Sequence, residues 1–230
     1  MNTLVLGDMF KWGWETFKKR PWFFVFALFI LNLLSGGFHF NVRGDDPAVA
    51  EHMRSAVDFL LTPLGIALLI VGVIVGVAVS TLAGMGKINL LLKAHDNAET
   101  VSWKDIWMPR PFWEFLGTNI AYGLIIIAGV ILLIVPGIIW AIKYQFAPYI
   151  VMEKNVRVGE ALRESGHLTD GYKWRLFMFG LLVGIFNFVG LLCFVVGLFV
   201  TVPITLLATV HVYRVLQEKS EPMISPGTVA

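Results

Sequence analysis

Few side chains in this sequence combine a polar or charged type with a position that could support chemistry. Lys143, followed by Tyr144 and Gln145, lies inside a long apolar segment. An ionised group in such a setting is costly and is a functional candidate by default. The alternative is that the Lys143 ammonium group snorkels to an interface or pairs with carbonyl groups at a helix end.

Four other polar residues lie within apolar runs, namely Asn32, Asn119, Asn187 and His211. Each of these alone is more typical of a hydrogen bond between helices than of a ligand. We would assign them, with Lys143, Tyr144 and Gln145, to one intramembrane polar site if several of them met Lys143 in one cavity.

The patterns of familiar catalytic and metal centres do not occur in the sequence. None of the five histidines is paired four residues from another, and with one cysteine, Cys193, a zinc cluster is not credible. Neither a G-x-S-x-G nor a Walker A motif is found. We predict a chain that is not an enzyme and has no catalytic residue, metal or cofactor.

Composition indicates that lipid surrounds the chain. Of its 230 residues, 57% are hydrophobic and only 15% are charged, and the mean hydropathy is +0.75. Soluble domains usually carry nearer a quarter charged residues. One water-soluble core of this size could not hide so much apolar surface, whereas a bilayer can accept it.

The apolar runs predict an all-α membrane protein with six transmembrane helices in a single domain, residues 1–230. The approximate spans are 22–40, 63–92, 117–135, 138–152, 174–195 and 198–216. Two runs are too long for one crossing, and we place turns at Pro136–Gly137 and near Gly197. No acidic residue falls inside a predicted span, which counts against a proton- or cation-coupled pump.

The distribution of basic residues sets the predicted orientation. Of 18 lysines and arginines, all but Arg43, Arg54 and Lys143 fall in segments 1–21, 86–114, 152–175 and 212–230. The positive-inside rule then places these segments and both termini in the cytoplasm. We expect this basic face to contact anionic lipid headgroups, and we expect no nucleic acid partner.

Each of the three predicted hairpins is preceded by an amphipathic segment, at about 6–17, 102–113 and 157–168. We predict interfacial helices there, with ordinary cytoplasmic loops as the alternative. A further short helix is predicted after Asp46–Pro47 on the outer side, and Thr62–Pro63 marks the start of the second span.

Two patterns of small residues predict close helix packing. Trp113, Gly123, Gly129 and Gly137 align with Trp174, Gly184, Gly190 and Gly197, which indicates an internal, parallel repeat of one hairpin unit. Gly72, Gly76, Ser80 and Gly84 recur every fourth residue of the second span. Such a stripe favours packing within the monomer, or else a contact in a dimer.

Three further stretches stand out in the sequence, namely Leu133–Trp140 running on to Phe146–Val151, then Glu160 to Trp174, and Gly13–Lys19. Together they resemble the YciC-like group of bacterial membrane proteins, which is similar to the membrane domain attached to some glycerophosphodiester phosphodiesterases. The resemblance implies a multi-pass protein of the bacterial cytoplasmic (inner) membrane, in a largely uncharacterised family. It transfers no catalytic residues.

These observations leave two main functional hypotheses. The first is a non-catalytic envelope scaffold or lipid-interacting protein, and the alternative is a transporter or exporter of a small or lipidic molecule. An intramembrane enzyme ranks last, because no cluster of acid and base groups can be assembled. A homo-oligomer or a membrane-protein partner remains open.

Overall fold

In a computed structural model, residues 6–34, 47–106, 111–192 and 197–220 are described, and they are almost entirely helical. The helices are α1 (Leu6–Lys19), α2 (Pro21–Leu34), α3 (Pro47–Leu60), α4 (Pro63–Asp96), α5 (Phe112–Leu132), α6 (Ile134–Tyr144), α7 (Ala147–Lys154), α8 (Val158–Leu168), α9 (Lys173–Leu192) and α10 (Leu198–Ser220). A 3₁₀ turn lies at Trp103–Ile106.

Four helices, α4, α5, α9 and α10, are long and apolar enough to cross a membrane. Helix α2 is apolar but has only 14 residues, and α6 has 11, whereas a crossing needs about 20. The predicted all-α fold is therefore confirmed over the described residues, and its four apolar helices suit a multi-pass membrane protein. Six complete spans stay a prediction, and residues 35–40 of the first lie outside the described part.

The start of α4 follows the local signals in the sequence. The hydroxyl oxygen of Thr62 accepts a hydrogen bond from the Gly65 amide at 3.0 Å, and Pro63 occupies the first helical position. Both features stabilise a helix N-terminus, where the first amides have no partner in the helix. The predicted outer helix is also present as α3, although Asp46 lies outside the described residues.

The turn between α5 and α6 is three residues earlier than the sequence suggested. Leu133 is extended (φ −174°, ψ 146°), and Pro136 sits within the first turn of α6, where its missing amide costs nothing. The predicted helix 138–152 is broken as well, because α6 ends at Tyr144 and α7 begins at Ala147. Pro148 has no N–H to offer to the Tyr144 carbonyl, so one regular helix cannot continue through it.

Matching glycine pairs bring α5 close to α6 and α9 close to α10. A methyl group placed on Gly129 would lie 2.7 Å from the Gly137 Cα atom, and one on Gly190 would lie 3.2 Å from the Gly197 carbonyl carbon and would also meet Thr201 Oγ1. Only a residue without a side chain allows backbones to approach so closely. Gly197 therefore lies at a close contact between α9 and α10, as Gly137 does between α5 and α6.

Helix α1 packs against α9 and α10. A methyl group on Gly13 would come within 2.7 Å of the Ile204 carbonyl oxygen of α10. The Phe10 ring is 5.7 Å from Phe186, about 20 Å along α9 from its first residue. The buried stripe of α1 contains Met9, Gly13, Thr16 and Phe17, while Trp14, at helical spacing from Phe10 and Phe17, is 44% exposed.

Burial is concentrated in one half of the molecule. From Thr81 onwards α4 is mostly buried, together with one face of α2, half of α7 and much of α10, whereas the α4 side chains from Ile66 to Val77 are exposed. In the predicted small-residue stripe, a methyl group on Gly84 would meet the Phe115 ring of α5, and nothing described lies within 4 Å of a methyl group on Gly72 or Gly76. Ser80 bonds to the Val77 carbonyl of its own helix.

The glycine pairs lead to a matched test. Gly129→Ala and Gly190→Ala should each destabilise the protein by about 1–3 kcal/mol, because the added carbon meets backbone or Thr201. Gly123→Ala and Gly184→Ala, at aligned positions with nothing within 4 Å, should be neutral or stabilising by up to about 1 kcal/mol. Chemical unfolding in detergent, followed by circular dichroism, measures the four differences. Equal effects in both pairs would contradict the close-packing account.

Candidate functional site

The position of Lys143 is fixed by contacts to its backbone. Its carbonyl oxygen, in the last turn of α6, accepts hydrogen bonds from Ser165 Oγ at 2.9 Å and Thr169 Oγ1 at 3.2 Å. Carbonyl groups in the last turn of a helix have no partner within that helix. The buried polar face of α8 therefore supplies these partners and sets α8 across the end of α6.

The side chain of Lys143 runs over α8 where that helix has no side chain in its way. A methyl group on Gly166 would lie 2.9 Å from Lys143 Cε. The Lys143 ammonium nitrogen also lies 5.2 Å from the centre of the Tyr144 ring, within the range of a cation–π contact. Lys143 thus points along the surface of α8 and does not extend into the bundle.

Around Lys143 lies an open cavity of about 460 Å³, here called the basic pocket. Its charged and titratable lining consists of Lys143, Arg163, His167, Asp170 and Lys173. Three cationic side chains and one carboxylate leave a formal charge of +2 with His167 neutral. Such a surface attracts anions, and Arg and Lys donors form strong hydrogen bonds to phosphate and carboxylate oxygens.

The one carboxylate in the basic pocket is already paired. Asp170 Oδ1 accepts from the Lys173 ammonium at 3.1 Å, and this hydrogen bond, with the charges of Lys173 and Lys143, lowers the pKa of Asp170. Neither Lys143 nor Arg163 forms an ion pair within the described part of the chain. These two cations are therefore the groups available to an anionic ligand.

The other polar residues that we considered do not converge on Lys143. Asn119 donates to the Phe115 carbonyl of its own helix at 2.8 Å, and Asn187 lies 3.4 Å from Thr205 Oγ1. Gln145 lines a separate groove with Tyr122, and its Nε2 atom is buried without a partner among the described residues. The condition that we set for a site within the bundle is not met by these side chains.

His211 belongs to an aromatic cluster far from the basic pocket. Its Nδ1 atom lies 3.1 Å from His95 Nε2, and the Trp12 ring stacks on both imidazoles at 4.6 Å. Histidine spacing in the sequence gave no sign of this pair, because the two residues are 116 positions apart. Over the described ranges, no group of three or more His, Cys, Asp or Glu side chains could hold a metal ion.

A polar network that the sequence did not suggest joins α4, α7 and α10. The Glu153 carboxylate accepts from Tyr213 Oη at 2.6 Å, from Gln217 Nε2 at 2.8 Å and from Arg214. Arg214 also pairs with Asp96 at 3.4 Å. Partial burial opposes ionisation of Glu153, but these hydrogen bonds and the Arg214 charge outweigh it and lower its pKa.

This network predicts a pH dependence of stability. A carboxyl group whose folded-state pKa is lowered contributes stability above its ordinary value of about 4.5, and that contribution is lost as the pH falls through the folded pKa. Unfolding of Glu153→Gln, followed between pH 3 and 7, should show a loss of about 1–3 kcal/mol at pH 7 and a smaller dependence on pH. Glu160→Gln, at an exposed site on α8, is the matched control and should change stability by less than about 0.5 kcal/mol. A pH profile of Glu153→Gln that matches the unsubstituted protein would contradict the assignment.

Comparisons with known proteins identified no relative of this chain. The chain matches no protein-family model, and comparisons with curated proteins and with solved structures gave no match. The resemblance to the YciC-like group therefore stays a prediction, and the functional argument depends on the geometry of the chain.

Proposed function

We propose that this chain is a non-catalytic integral protein of the bacterial cytoplasmic membrane that binds anionic lipid at its inner face and acts there as a scaffold. The observation that carries the proposal is the placement of the basic pocket beside Trp174, at the start of α9. Lys173 lines the basic pocket, and the next residue, Trp174, is 71% exposed. Exposed tryptophans favour the membrane–water boundary, where cations meet lipid headgroups.

The exposed tryptophans support this location of the boundary. Trp113 and Trp174 are the second residues of α5 and α9, and they are 76% and 71% exposed. Each is followed by a helix that extends about 27 to 28 Å further, close to the hydrocarbon thickness of about 30 Å. Trp22 has the same position in α2 and is 73% exposed. The glycine pairs of the last two hairpins add support for a repeated unit, as we propose.

The scaffold role is supported by the way the amphipathic segments join the bundle. Arg20, after α1, donates to the Val101 carbonyl at 2.5 Å, and α8 bonds to the end of α6. Lys93 pairs with Asp105 at 2.6 Å, which lowers the pKa of Asp105. Each of these segments between the long helices is thus bonded to a neighbouring part of the bundle. A transporter needs a shared polar cavity, and the separate surroundings of Lys143, Asn119 and Asn187 do not favour that alternative.

Lipid preference tests the proposal with the complete chain. We expect unfolding at a higher temperature in nanodiscs with about 30% phosphatidylglycerol than in nanodiscs of phosphatidylcholine alone. A ligand that binds only the folded state stabilises it, and added salt should reduce the difference because it screens charges at the surface. Equal unfolding temperatures in the two lipids would argue against anionic-lipid binding.

Thiol accessibility tests the orientation and the transporter alternative. In a Cys193→Ala background, Lys143→Cys should react with a membrane-impermeant maleimide in inverted vesicles and not in intact cells. Lys104→Cys is the control for the inner side and Asp58→Cys, on α3, is the control for the outer side. Reaction of Lys143→Cys from the outer side would reveal a water path across the bundle and would replace the scaffold proposal with a transporter.

A further inference from the structure

An apolar groove begins where the basic pocket ends. It lies between α6 and α9 and has a volume of about 370 Å³. Its apolar lining consists of Val135, Ile138, Ile139 and Ile142 from α6, with Trp174 and Phe177 from α9. Lys173 lines both this groove and the basic pocket. The basic pocket and the apolar groove therefore adjoin each other at Lys173.

The dimensions of the groove suit part of an acyl chain. From Ile142 to Val135 the helix rises about 10 Å, and one hydrocarbon leaflet is about 15 Å thick. The groove residues Val135, Ile138, Ile139 and Ile142 recur at helical spacing along one face of α6, and this face is partly open to its surroundings. An acyl chain lying there would run from the boundary marked by Trp174 toward the bilayer centre.

We propose that the basic pocket and the apolar groove together bind one phospholipid whose headgroup is anionic. Lys143 and Arg163, neither of which forms an ion pair with a described carboxylate, would donate to the phosphate oxygens, and His167 lies beside them in the lining. One acyl chain fills the groove between α6 and α9. This inference rests on the proposed function and adds to it a defined site and a lipid class.

The architecture of α8 prepares Lys143 for this role. Ser165 and Thr169 hold the Lys143 carbonyl, and Gly166 leaves the space that the lysine stem occupies. A preorganised side chain loses less conformational freedom when it binds a ligand. Because the hydrogen bonds go to the backbone of residue 143, a glutamine there removes the charge and keeps the contact with α8.

Binding of short-chain lipids to the purified full-length chain tests the proposal. The probes are dioctanoyl phosphatidylglycerol, dioctanoyl phosphatidylcholine and glycerol 1-phosphate, measured by native mass spectrometry in a neutral detergent. In the double variant Lys143→Gln with Arg163→Gln, affinity for the phosphatidylglycerol should fall at least about tenfold, since two charge-assisted bonds are lost. Lys104→Gln with Arg157→Gln is the matched control, with the same change of charge at exposed positions outside the pocket, and should change affinity less than about twofold.

A second variant separates the position of Lys143 from its charge. Gly166→Ala keeps every charge but pushes the flexible end of the Lys143 side chain aside, because the new carbon would lie 2.9 Å from Cε. We expect a threefold or larger loss of affinity for the phosphatidylglycerol, with an unchanged circular dichroism spectrum. An unchanged affinity would remove the preorganisation of Lys143 from the proposal.

Each remaining outcome supports the lipid site or overturns it. Equal losses in the pocket pair and the control pair would overturn the site, as would equal binding of phosphatidylcholine and phosphatidylglycerol by the unsubstituted chain. Glycerol 1-phosphate that binds as tightly as the lipid would identify a site for a free phosphate. If nanodiscs with phosphatidylglycerol stabilise the unsubstituted chain and the pocket pair equally, the proposed function stands and this site does not. If they stabilise neither, the proposed function itself fails.

Discussion

The structure around the basic pocket depends on one constraint. The carbonyl groups in the last turn of α6 need hydrogen-bond partners from the protein where bulk water does not reach them. Pro148 cannot offer an amide to the Tyr144 carbonyl, so α6 stops at Tyr144. The Lys143 carbonyl in this last turn is bonded by Ser165 and Thr169 from another helix. An unpaired buried carbonyl would cost about 1–3 kcal/mol. This cost favours the position of α8 in which Ser165 and Thr169 bond to the Lys143 carbonyl. Because α8 carries Arg163 and His167, the same bonds bring these side chains to Lys143.

Local features of the fold could be read from the sequence because their causes are local. Thr62 and Pro63 begin α4 through contacts within four residues, and the helical spacing of Ala161, Ser165 and Leu168 places them on one face of α8, which is buried. Gly129 and Gly137 align with Gly190 and Gly197, and both pairs form close helix contacts for the same steric reason. The turn after α5 lies three residues earlier in the chain than predicted. Proline is tolerated in the first turn of a helix, so Pro136 marks the boundary only approximately.

The sequence could not predict which polar side chains meet. Glu153 bonds to Tyr213, 60 positions away, and His95 lies beside His211, 116 positions away. No spacing rule connects residues at such separations, since their contact depends on the crossing of α4, α7 and α10. For the same reason Lys143, Asn119 and Asn187 could be named as polar groups in apolar runs but not assigned to one cavity. Arg163 and Lys173 were read only as charges of the inner face.

The division of polar groups between bundle and boundary favours function at the boundary. Asn119 donates to the Phe115 carbonyl of its own helix, and the Asn187 amide lies 3.4 Å from Thr205 Oγ1 of α10. Both contacts match the packing role of most polar groups inside helix bundles. Neither Lys143 nor Arg163 forms an ion pair with a described carboxylate, and both side chains line the basic pocket. Unpaired charge beside an apolar groove is stable where a headgroup and an acyl chain can cover both surfaces together. A lipid meets that requirement because its own charged and apolar parts are joined at the same boundary.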